Sequence, residues 1–432
     1  MCTLQKAREV AVHKFGGSSL STSLAYKHVS SIIQKHCLRY DWVVVSAAGN
    51  TTNRLLAIFT EYTENPRLAL VLLEELFEYQ KRLLDEVENA TKARLLSQLK
   101  ADFRSLTNRI KTSYDTHNNA AEWVCFGELW SARLLSSMIF DRFNTGVMVD
   151  ARQLICLDEG LVDLRQCKVN LDTFQTSAVN GIYVMTGFIA SDRAGRTNTL
   201  GRNGSDYSAA LIARLLNAKS LYFWTDVEGI YSADPRFVND AVLIPEISRF
   251  QMQLLAQSGN TVLHPKTLRA LESMGSDIVI KSSMKPQGPG TVVSVAFDKN
   301  ISLLSRTKNI GWFAQQLCEA IACDHIAFYL PEKQGRSCVV LPEYLSEYEL
   351  CSNDCKVVDL LIYFGARHSV QEYLDEHDIS YSVYDIQGEI PFTVFLIDNR
   401  LTDLHYEQLH TLVCSQTLQD ENQRHTVLEL LA

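Results

Sequence analysis

The sequence predicts an α/β fold: a parallel sheet with helices on both faces, in three layers, followed by smaller α+β modules. Short apolar runs rich in Val, Ile and aromatic residues indicate strands that are buried on both faces. Longer segments with apolar residues at helical spacing alternate with these runs, and that alternation is typical of a parallel sheet. Beyond residue 300 the segments become short and mostly β. We therefore predict a first domain over residues 1–298 and a second region over 299–432.

The first domain contains six predicted strands and several predicted helices. The strands cover residues 10–14, 42–46, 146–150, 183–186, 221–224 and 277–281. The helices cover 128–140, 208–216 and two stretches of the segment 67–112, which contains neither Gly nor Pro. Ligands of an open parallel sheet bind beyond the carboxyl ends of its strands. The Gly-rich turns described below follow such strand ends.

A Pro- and Gly-rich segment at 282–290 separates the two regions. One more strand is predicted at 291–295. The second region then follows a β-α-β-β order from 301 to 341, with its helix at 312–322, and a β-α-β-β-α order from 357 to 413. Two similar small units in tandem are therefore predicted.

The composition is that of a soluble globular protein, with 46% apolar and 21% charged residues. The formal charge of −9 argues against a nucleic-acid or membrane-surface partner, because either would need a basic face. No run of 18 apolar residues indicates a membrane span, and no secretory signal precedes the 11 cysteines. We expect reduced thiols and a cytoplasmic location. Cys351 and Cys355 lack a second ligand pair at zinc spacing, so no metal site is predicted.

Lys14 ends the first predicted strand and is followed by Gly16, Gly17 and Ser18. Glycines let the backbone turn its N–H groups towards an anion. A Lys at this position can neutralise the oxygens of a phosphoryl group during its transfer. For this motif taken alone, a strand-to-helix turn with a surface Lys is the simpler alternative.

Two segments place polar residues near predicted helix starts. Ser46 and Thr52 belong to Ser-Ala-Ala-Gly-Asn-Thr-Thr-Asn, which follows the second strand and opens a helix whose N-terminus favours a carboxylate. Capping by Thr52 and Asn53 is the alternative. Glu128 lies at the predicted start of another helix, where the helix dipole is sufficient to explain an acidic residue.

A second Gly-rich turn, Leu-Gly-Arg-Asn-Gly-Ser-Asp, precedes the helix predicted at 208–216. The planar guanidinium of Arg202 can bind a carboxylate through two hydrogen bonds. Gly204 and Ser205 offer a backbone and a hydroxyl donor beside it. Asp206 stands at the helix start, where an N-cap role is the alternative to a role in chemistry.

These motifs, with Thr-Asp-Val-Glu-Gly-Ile-Tyr-Ser-Ala-Asp-Pro-Arg at 225–236, resemble the aspartokinase branch of the amino-acid kinase family over most of residues 10–295. The forms at 15–19 and 46–53 are most similar to the aspartokinase half of bifunctional aspartokinase/homoserine dehydrogenases. The resemblance implies the amino-acid kinase fold followed by paired ACT-like modules. No Gly-x-Gly-x-x-Gly fingerprint follows, so we expect a kinase that is separate from the dehydrogenase or cut before it.

The resemblance implies three groups of site residues. Catalysis is assigned to Lys14 and Asp206. Asp206 would hold Lys14 or organise the acceptor and a metal; it is not a general base, because an acceptor carboxylate is already ionised at pH 7. The substrate amino acid is assigned to Ser46, Thr52, Glu128, Arg202, Gly204 and Ser205. In that assignment Glu128 binds its ammonium group and Arg202 binds its carboxylate. ATP is assigned to Lys14, Gly16, Gly17, Ser18, Thr225, Asp226, Tyr231 and Arg236.

Thr261 departs from the family pattern, in which a Lys that helps to bind ATP stands before Val-Leu-His-Pro. Loss of that cation weakens phosphate binding unless another Lys replaces it. Lys266, Lys281 and Lys285 are the candidates for that replacement.

The predicted function is aspartate kinase, which transfers the γ-phosphoryl group of ATP, with Mg²⁺ on the nucleotide, to the β-carboxylate of L-aspartate. The product is 4-phospho-L-aspartate, on the way to lysine, threonine and methionine. Two alternatives stay open: a related kinase with another carboxylate substrate, and a catalytically weak regulatory protein that binds an amino acid. An amino-acid effector and a homo-oligomer formed through the C-terminal modules are also expected.

Overall fold

The structure is a computed structural model of the 432-residue chain. It describes residues 9–112, 119–176, 179–258, 262–272, 274–295, 303–313, 321, 326–332, 335–341, 344–345, 355–364, 367–386, 392–397 and 401–414. By contacts, the chain divides into two compact units: Met1–Glu228 with Lys266–Val292, and Gly229–Pro265 with Val293–Ala432. The limits predicted for the two domains, 1–298 and 299–432, stay a prediction.

The elements are numbered along the chain. The strands are β1 Ala11–Phe15, β2 Trp42–Val45, β3 Gly146–Val149, β4 Cys156–Asp158, β5 Leu161–Val162, β6 Ile182–Thr186, β7 Ile189–Asp192, β8 Thr197–Thr199, β9 Ser220–Thr225, β10 Ile230–Tyr231, β11 Leu243–Ile244, β12 Glu246–Ser248, β13 Asp277–Ser282, β14 Thr291–Ser294, β15 Leu303–Phe313, β16 Ile326–Glu332, β17 Gly335–Val340, β18 Cys355–Phe364, β19 Tyr381–Ile386 and β20 Phe392–Ile397. The helices are α1 Ser23–His36, α2 Thr51–Glu64, α3 Pro66–Arg82, α4 Asn89–Thr112, α5 Ala121–Phe143, α6 Leu164–Thr176, α7 Gly204–Leu216, α8 Arg249–Gln257, α9 Pro265–Leu271, α10 His368–Glu376 and α11 403–414. No described helix is long and apolar enough to cross a membrane.

The first unit is built on a parallel sheet. Six of its strands lie side by side in the order β13-β9-β1-β2-β6-β3, and every neighbouring pair is parallel. All four residues of β2, Trp-Val-Val-Val, are buried, as expected for a strand covered on both faces. A smaller sheet has the order β5-β4-β7-β8. The predicted α/β class with a parallel sheet is confirmed, and each of the six predicted strands is present.

Helix α5 is buried along most of its length because it belongs to two hydrophobic clusters. Its C-terminal half packs through Leu135 and Ile139 in a cluster that contains Val45 and Val184 of the sheet. Its N-terminal half packs through Trp123 with helices α2, α3 and α4. A helix that is apolar on all sides is a core element. The two long helices predicted within 67–112 are α3 and α4, which complete this layer.

The second unit contains a six-stranded sheet of order β16-β17-β15-β18-β20-β19, whose neighbouring strands run antiparallel. Helices α10 and α11 pack on it through Leu374 and Leu409, which share a cluster with Phe395. Val238 and Ala233, from the segment 229–265, belong to the same cluster. The second predicted order, β-α-β-β-α over 357–413, is confirmed as β18-α10-β19-β20-α11.

One predicted element of the second region is wrong in the part that the structure describes. The sequence predicts that Trp312 begins a helix, but Trp312 lies in β15, which continues from Leu303 to Phe313. The reason is a tertiary contact: Trp312 and Phe313 pair in register with Lys356 and Cys355 of β18. Long-range pairing therefore overrides the local preference of this segment. Most of the rest of the predicted helix, 314–320, lies outside the described residues.

Candidate active site

A cavity of about 670 Å³ opens at the carboxyl ends of β1 and β2 in the first unit. This is where the topology of an open parallel sheet places ligands. All eight residues predicted for catalysis and substrate binding line it: Lys14, Ser46, Thr52, Glu128, Arg202, Gly204, Ser205 and Asp206. Gly17, predicted to bind ATP, lines it as well. The structure also places Ala47, Phe188 and Thr199 in its wall, which sequence analysis did not single out.

Lys14 and Asp206 form a close ion pair in this cavity. The Lys14 Nζ lies 2.5 Å from Oδ1 of Asp206, and both side chains are 14% exposed. Oδ1 of Asp206 has no hydrogen-bond partner, so this contact is an ion pair. Asp206 lies in the first turn of α7, whose N-cap is Asn203 and not Asp206. The alternative of a simple capping role for Asp206 is therefore wrong.

Glu128 is buried in the interior of the protein but faces the cavity. It is 2% exposed, and its Oε2 has no hydrogen-bond partner. Burial raises the pKa of Glu128 well above its ordinary value; a hydrogen bond from the backbone of Ala47 and the nearby Lys14 charge oppose that rise. Helix α5 begins at Ala121, so Glu128 lies two turns inside the helix and not at its start. The dipole explanation for Glu128 is therefore wrong.

The loop at 46–51, which we call the acceptor loop, forms part of the cavity wall. Ser46 N donates to the carbonyl of Phe15, and Thr51 Oγ1 donates to the carbonyl of Ala48. The N-cap of α2 is Asn50, so the proposed capping by Thr52 and Asn53 is not observed. Thr52 is half-buried in the first turn, where it lines the cavity.

The segment 16–21, which we call the phosphate loop, lies against the acceptor loop. A short 3-10 helix occupies Ser18–Leu20. Gly17 is tightly enclosed: a Cβ there would lie 2.7 Å from the carbonyl oxygen of Ala47. Gly49 N donates to the carbonyl of Gly17 at 2.9 Å. Gly17 is therefore required for the close approach of the two loops.

At the N-terminus of α7 the chain is shaped by Asn203, which has a left-handed φ of 53°. A Cβ at Gly204 would lie 2.6 Å from the ring of Phe188, so this position has no room for a side chain. Ser205 is buried, whereas Arg202 is exposed at the rim of the cavity. The turn thus presents a guanidinium beside the first backbone N–H groups of a helix, which is a favourable place for a carboxylate.

Two serines that sequence analysis missed connect the phosphate loop to the end of β9. Ser283 Oγ lies 2.7 Å from Ser19 Oγ and donates to the carbonyl of Thr225 at 3.1 Å. Thr225 Oγ1 in turn donates to Asp226. In the sequence, the available signal for Ser283 was the Ser282-Ser283 pair at the end of β13, which ends at the same edge of the sheet as β9. Thr225 and Asp226 are thereby tied to the predicted nucleotide loop, although they do not line the cavity.

Tyr231 and Arg236, also predicted to bind ATP, belong to the second unit. Tyr231 lies in β10. The Arg236 side chain is 79% exposed, and its guanidinium forms an ion pair with Asp234 at 2.6 Å and lies over the ring of Phe237. In this structure Arg236 is therefore engaged by its neighbours, and its role in ATP binding stays a prediction.

Thr261 lies outside the described residues, but the three candidate replacements for its missing cation are described. Lys266 Nζ donates to the carbonyl of Leu200 and sits over the ring of Tyr207; burial lowers its pKa. The Lys281 Nζ sits 5.9 Å from the ring centre of Trp224. Lys285 pairs with Glu228 at 2.6 Å.

Away from the cavity, His13, Cys37 and Asp41 bring potential metal ligands within 4.8 Å of one another. Trp224 donates its Nε1–H to Nδ1 of His13 at 3.1 Å, so the proton of the neutral ring lies on Nε2. Burial lowers the pKa of His13 to about 3, which keeps the ring neutral. While that bond holds, the ring has no lone pair for a cation, so we propose no metal there.

This fold and cavity define the class of protein. A family model described as the amino acid kinase family matches residues 9–282, and the chain belongs to that family. Among curated relatives, the bifunctional aspartokinase/homoserine dehydrogenase 2 of Escherichia coli is 34% identical over 287 residues, which are 65% of this chain and 35% of the relative. The aspartokinase of Chlamydia pneumoniae is 33% identical over 305 residues, 69% of this chain and 66% of that one. The chain thus spans about a third of the bifunctional relatives that it matches.

Solved structures extend the likeness of fold to nearly the whole chain. E. coli aspartokinase III, in complex with aspartate and ADP, has a TM-score of 0.72 at 23% identity, covering 94% of this chain and 100% of that one. The aspartate kinase of Clostridium acetobutylicum has a TM-score of 0.72 at 19% identity, covering 93% and 100%. These likenesses confirm the predicted fold, including the smaller α+β modules.

Proposed function

We propose that this protein is an aspartate kinase that transfers the γ-phosphoryl group of ATP to the β-carboxylate of L-aspartate. The observation that carries the proposal is the convergence, in one cavity, of a buried carboxylate oxygen without a partner and a Lys–Asp ion pair. Glu128 offers a buried carboxyl group whose ionised form needs a cation to be stabilised. Lys14 offers a cation at the end of a strand, where a phosphoryl group can be neutralised.

The proposed substrate is an amino acid because the charges of the cavity match a zwitterion. Glu128 would bind the ammonium group, and Arg202 would bind the α-carboxylate through its planar fork. Gly204 and Ser205 would add donors at the start of α7. Ser46 and Thr52, at the cavity wall, would hold the other end of the molecule. A substrate without an amino group would leave Glu128 buried and unpaired, which argues against the alternative of a simple carboxylate acceptor.

Catalysis in this proposal consists of positioning and charge neutralisation. Lys14 would contact the oxygens of the phosphoryl group as negative charge shifts during its transfer. Asp206 would hold the Lys14 ammonium in place, and it has no proton to remove, because the acceptor carboxylate is already ionised. The nucleotide would be held by Gly16, Gly17, Ser18, Thr225 and Asp226 of the first unit, and the ATP roles of Tyr231 and Arg236 stay predictions from the sequence. Mg²⁺ enters with the ATP phosphates as part of the substrate.

Three further expectations belong to the same proposal. The product, 4-phospho-L-aspartate, would lead towards lysine, threonine and methionine. The second unit would bind an amino-acid effector and form a homo-oligomer; one related structure, E. coli aspartokinase III, is described in complex with lysine and aspartate. The cytoplasmic location stays a prediction from the sequence.

The test is release of ADP with L-aspartate as the acceptor, together with trapping of the acyl phosphate by hydroxylamine. Succinate, which lacks the ammonium group, serves as the matched acceptor and should be turned over at least about 100-fold less efficiently, because Glu128 is then left unpaired. Glu128→Gln should remove most of the preference for aspartate, whereas Glu86→Gln, at an exposed surface pair with Lys27, should not change it. Amino-acid binding without ADP release would favour the regulatory alternative.

A further inference from the structure

Helix α3 carries two residues, Tyr79 and Gln80, that reach the loops of the cavity although neither lines it. Gln80 is only 4% exposed, and its Nε2 donates to Oγ1 of Thr51 at 2.8 Å. Thr51 Oγ1 donates in turn to the carbonyl of Ala48 at 2.6 Å. The buried side chain of Gln80 is thus the first donor in a chain of hydrogen bonds that fixes the backbone of the acceptor loop.

Tyr79 contacts both loops. Its hydroxyl donates to the carbonyl of Ser21, at the end of the phosphate loop, at 2.9 Å. The same oxygen lies against Gly49 of the acceptor loop, where a Cβ would be only 2.6 Å away. Gly49 has a φ of +53°, a conformation that a glycine adopts without strain. The Arg54 guanidinium lies over the ring of Tyr79, 4.8 Å from its centre.

The opposite side of the acceptor loop is closed by α5. A Cβ at Gly127 would lie 2.9 Å from the Cβ of Ala47 and 3.0 Å from Cγ2 of Thr51. Glu128, the next residue, accepts a hydrogen bond from the backbone of Ala47. The acceptor loop is therefore held between α3 and α5, with the phosphate loop on a third side.

We propose that Gln80 and Tyr79 are positioning residues that set the distance between the phosphate loop and the acceptor loop. This inference rests on the proposed function, in which the first loop holds the donor and the second helps to hold the acceptor. Transfer of a phosphoryl group depends on alignment of donor and acceptor, and a displacement of about 1 Å can cost about 100-fold in rate. Neither side chain would touch substrate; both would act through Thr51, Ala48, Gly49 and Ser21.

The test uses variants that remove hydrogen bonds while they preserve shape. Gln80→Met and Thr51→Val should each lower kcat about tenfold, with less than about a threefold change in KM for ATP or aspartate, because alignment is lost and binding groups remain. The double variant should lose little more than the worse single variant, since both residues belong to one chain of bonds. Thr51→Ser keeps the hydroxyl and should retain kcat within about twofold. Tyr79→Phe should lower kcat about threefold.

Two control variants remove the same kinds of bond elsewhere in the first unit. Thr91→Val removes a buried threonine hydroxyl bonded to Asp141, and Tyr183→Phe removes a tyrosine hydroxyl bonded to the carbonyl of Val179. Both should lower the melting temperature as much as the test variants do but leave kcat unchanged. An unchanged kcat in folded Gln80→Met and Thr51→Val, or an equal loss of kcat in the controls, would overturn the proposal.

Hydrogen exchange separates this inference from the proposed function. In wild-type protein without ligand, the Gly49 amide is bonded to Gly17, and the Thr51 amide to Ala48. Both amides should exchange at least about tenfold faster in Gln80→Met, and at the wild-type rate in the controls. If the wild-type protein does not phosphorylate aspartate, the proposed function fails. The hydrogen-exchange rates still decide whether Gln80 fixes the acceptor loop. Unchanged exchange would overturn the positioning role.

Discussion

Lys14 and Asp206 come from distant parts of the sequence and meet at 2.5 Å, one at the end of β1 and the other in the first turn of α7. Both side chains are largely shielded from water, so each charge depends on the other or on a ligand. A Lys held in this way can turn from Asp206 towards an incoming phosphate without losing a negative partner. The ion pair thus holds a cation in a cavity that contains a second acidic side chain, Glu128.

The first prediction concerns this pair. Lys14→Ala should lower kcat by roughly 10²–10³-fold, because the charge of the transferred group loses its neutralising partner. Asp206→Asn should lower kcat less, by about tenfold, since Lys14 stays but is less well oriented. Steady-state kinetics measure both effects, and circular dichroism checks the fold. A wild-type kcat in Lys14→Ala would show that Lys14 has only a structural role in the turn.

The second prediction concerns stability and Glu128. In the unfolded chain this carboxyl ionises near its ordinary value of 4.5, whereas burial raises its pKa in the folded protein. Folding therefore becomes less favourable as pH rises through the unfolded value, because the unfolded chain then releases a proton that the folded protein retains. Glu128→Gln should raise the melting temperature at pH 7.5, by about 2–4 °C for each kcal/mol recovered.

That gain in stability should disappear below about pH 4.5, where the carboxyl of Glu128 is protonated in both states. Thermal unfolding of both proteins between pH 4 and pH 8 measures it. Glu86→Gln, at an exposed position, is the control and should show no such dependence. A variant less stable than wild type at pH 7.5 would show that Glu128 has a stabilising partner.

The third prediction concerns the pH dependence of substrate binding. An ammonium group binds the ionised form of Glu128, so KM for aspartate should rise as pH falls below the raised pKa of that carboxyl. KM for ATP should not follow. In Glu128→Gln the pH dependence should be absent and KM for aspartate higher by at least about tenfold, since a charge-assisted contact of roughly 1.5–3 kcal/mol is lost. A rise in KM for ATP instead would place Glu128 in the nucleotide subsite.

Gly17 provides the fourth prediction. A Cβ at Gly17 meets the Ala47 carbonyl oxygen at 2.7 Å, so Gly17→Ala must push the two loops apart. Overpacking of this kind costs about 1–3 kcal/mol of stability, and kcat/KM should fall at least about tenfold. Gly275→Ala is the control, because Gly275 is exposed and a Cβ there would meet nothing within 4 Å. Equal activity in the two variants would contradict the close contact of the loops.

Arg306 provides the fifth prediction, which concerns the second unit. The side chains of Arg306 and Asp359 are each 6% exposed, and their charged groups lie 2.7 Å apart. Arg306→Met should destabilise the unit by about 3–5 kcal/mol, because the buried Asp359 carboxylate then has no cationic partner and keeps only a hydrogen bond from the backbone of Asn309. Adding Asp359→Asn should recover part of that loss. Urea unfolding measures both, and additive losses would show that the two residues act independently.

The sequence was sufficient to predict the six parallel strands of the first unit and several polar residues of the cavity, because those features are local. A Lys at a strand end and a Gly-rich turn before a helix can be recognised one segment at a time. The start of α5 could not be predicted in this way, since its first two turns are buried on nearly all sides and show no polar face. For that reason the sequence places Glu128 at a helix start.

Contacts between residues that are far apart in the sequence were the second feature that could not be predicted. Ser19 and Ser283 meet only because β1 and β13 both end beside β9 in the folded sheet. Trp312 is in a strand because β18 pairs with it. In the sequence, Gln80 is an ordinary residue of a long amphipathic helix, and its bond to Thr51 is visible only in the structure. Such residues carry no local pattern, and only the tertiary fold identifies them.

The path of the chain between the two units has a practical consequence for anyone who wishes to dissect this protein. The polypeptide passes from one unit to the other three times, after Glu228, Pro265 and Val292. A fragment ending near residue 298 would keep 229–265 but lose the residues that bury Val238, and its exposed apolar surface would favour aggregation. The two units are therefore not joined by a single linker, and neither can be exchanged as one continuous segment. A chimera needs a graft that carries both 229–265 and the C-terminal region from the same parent.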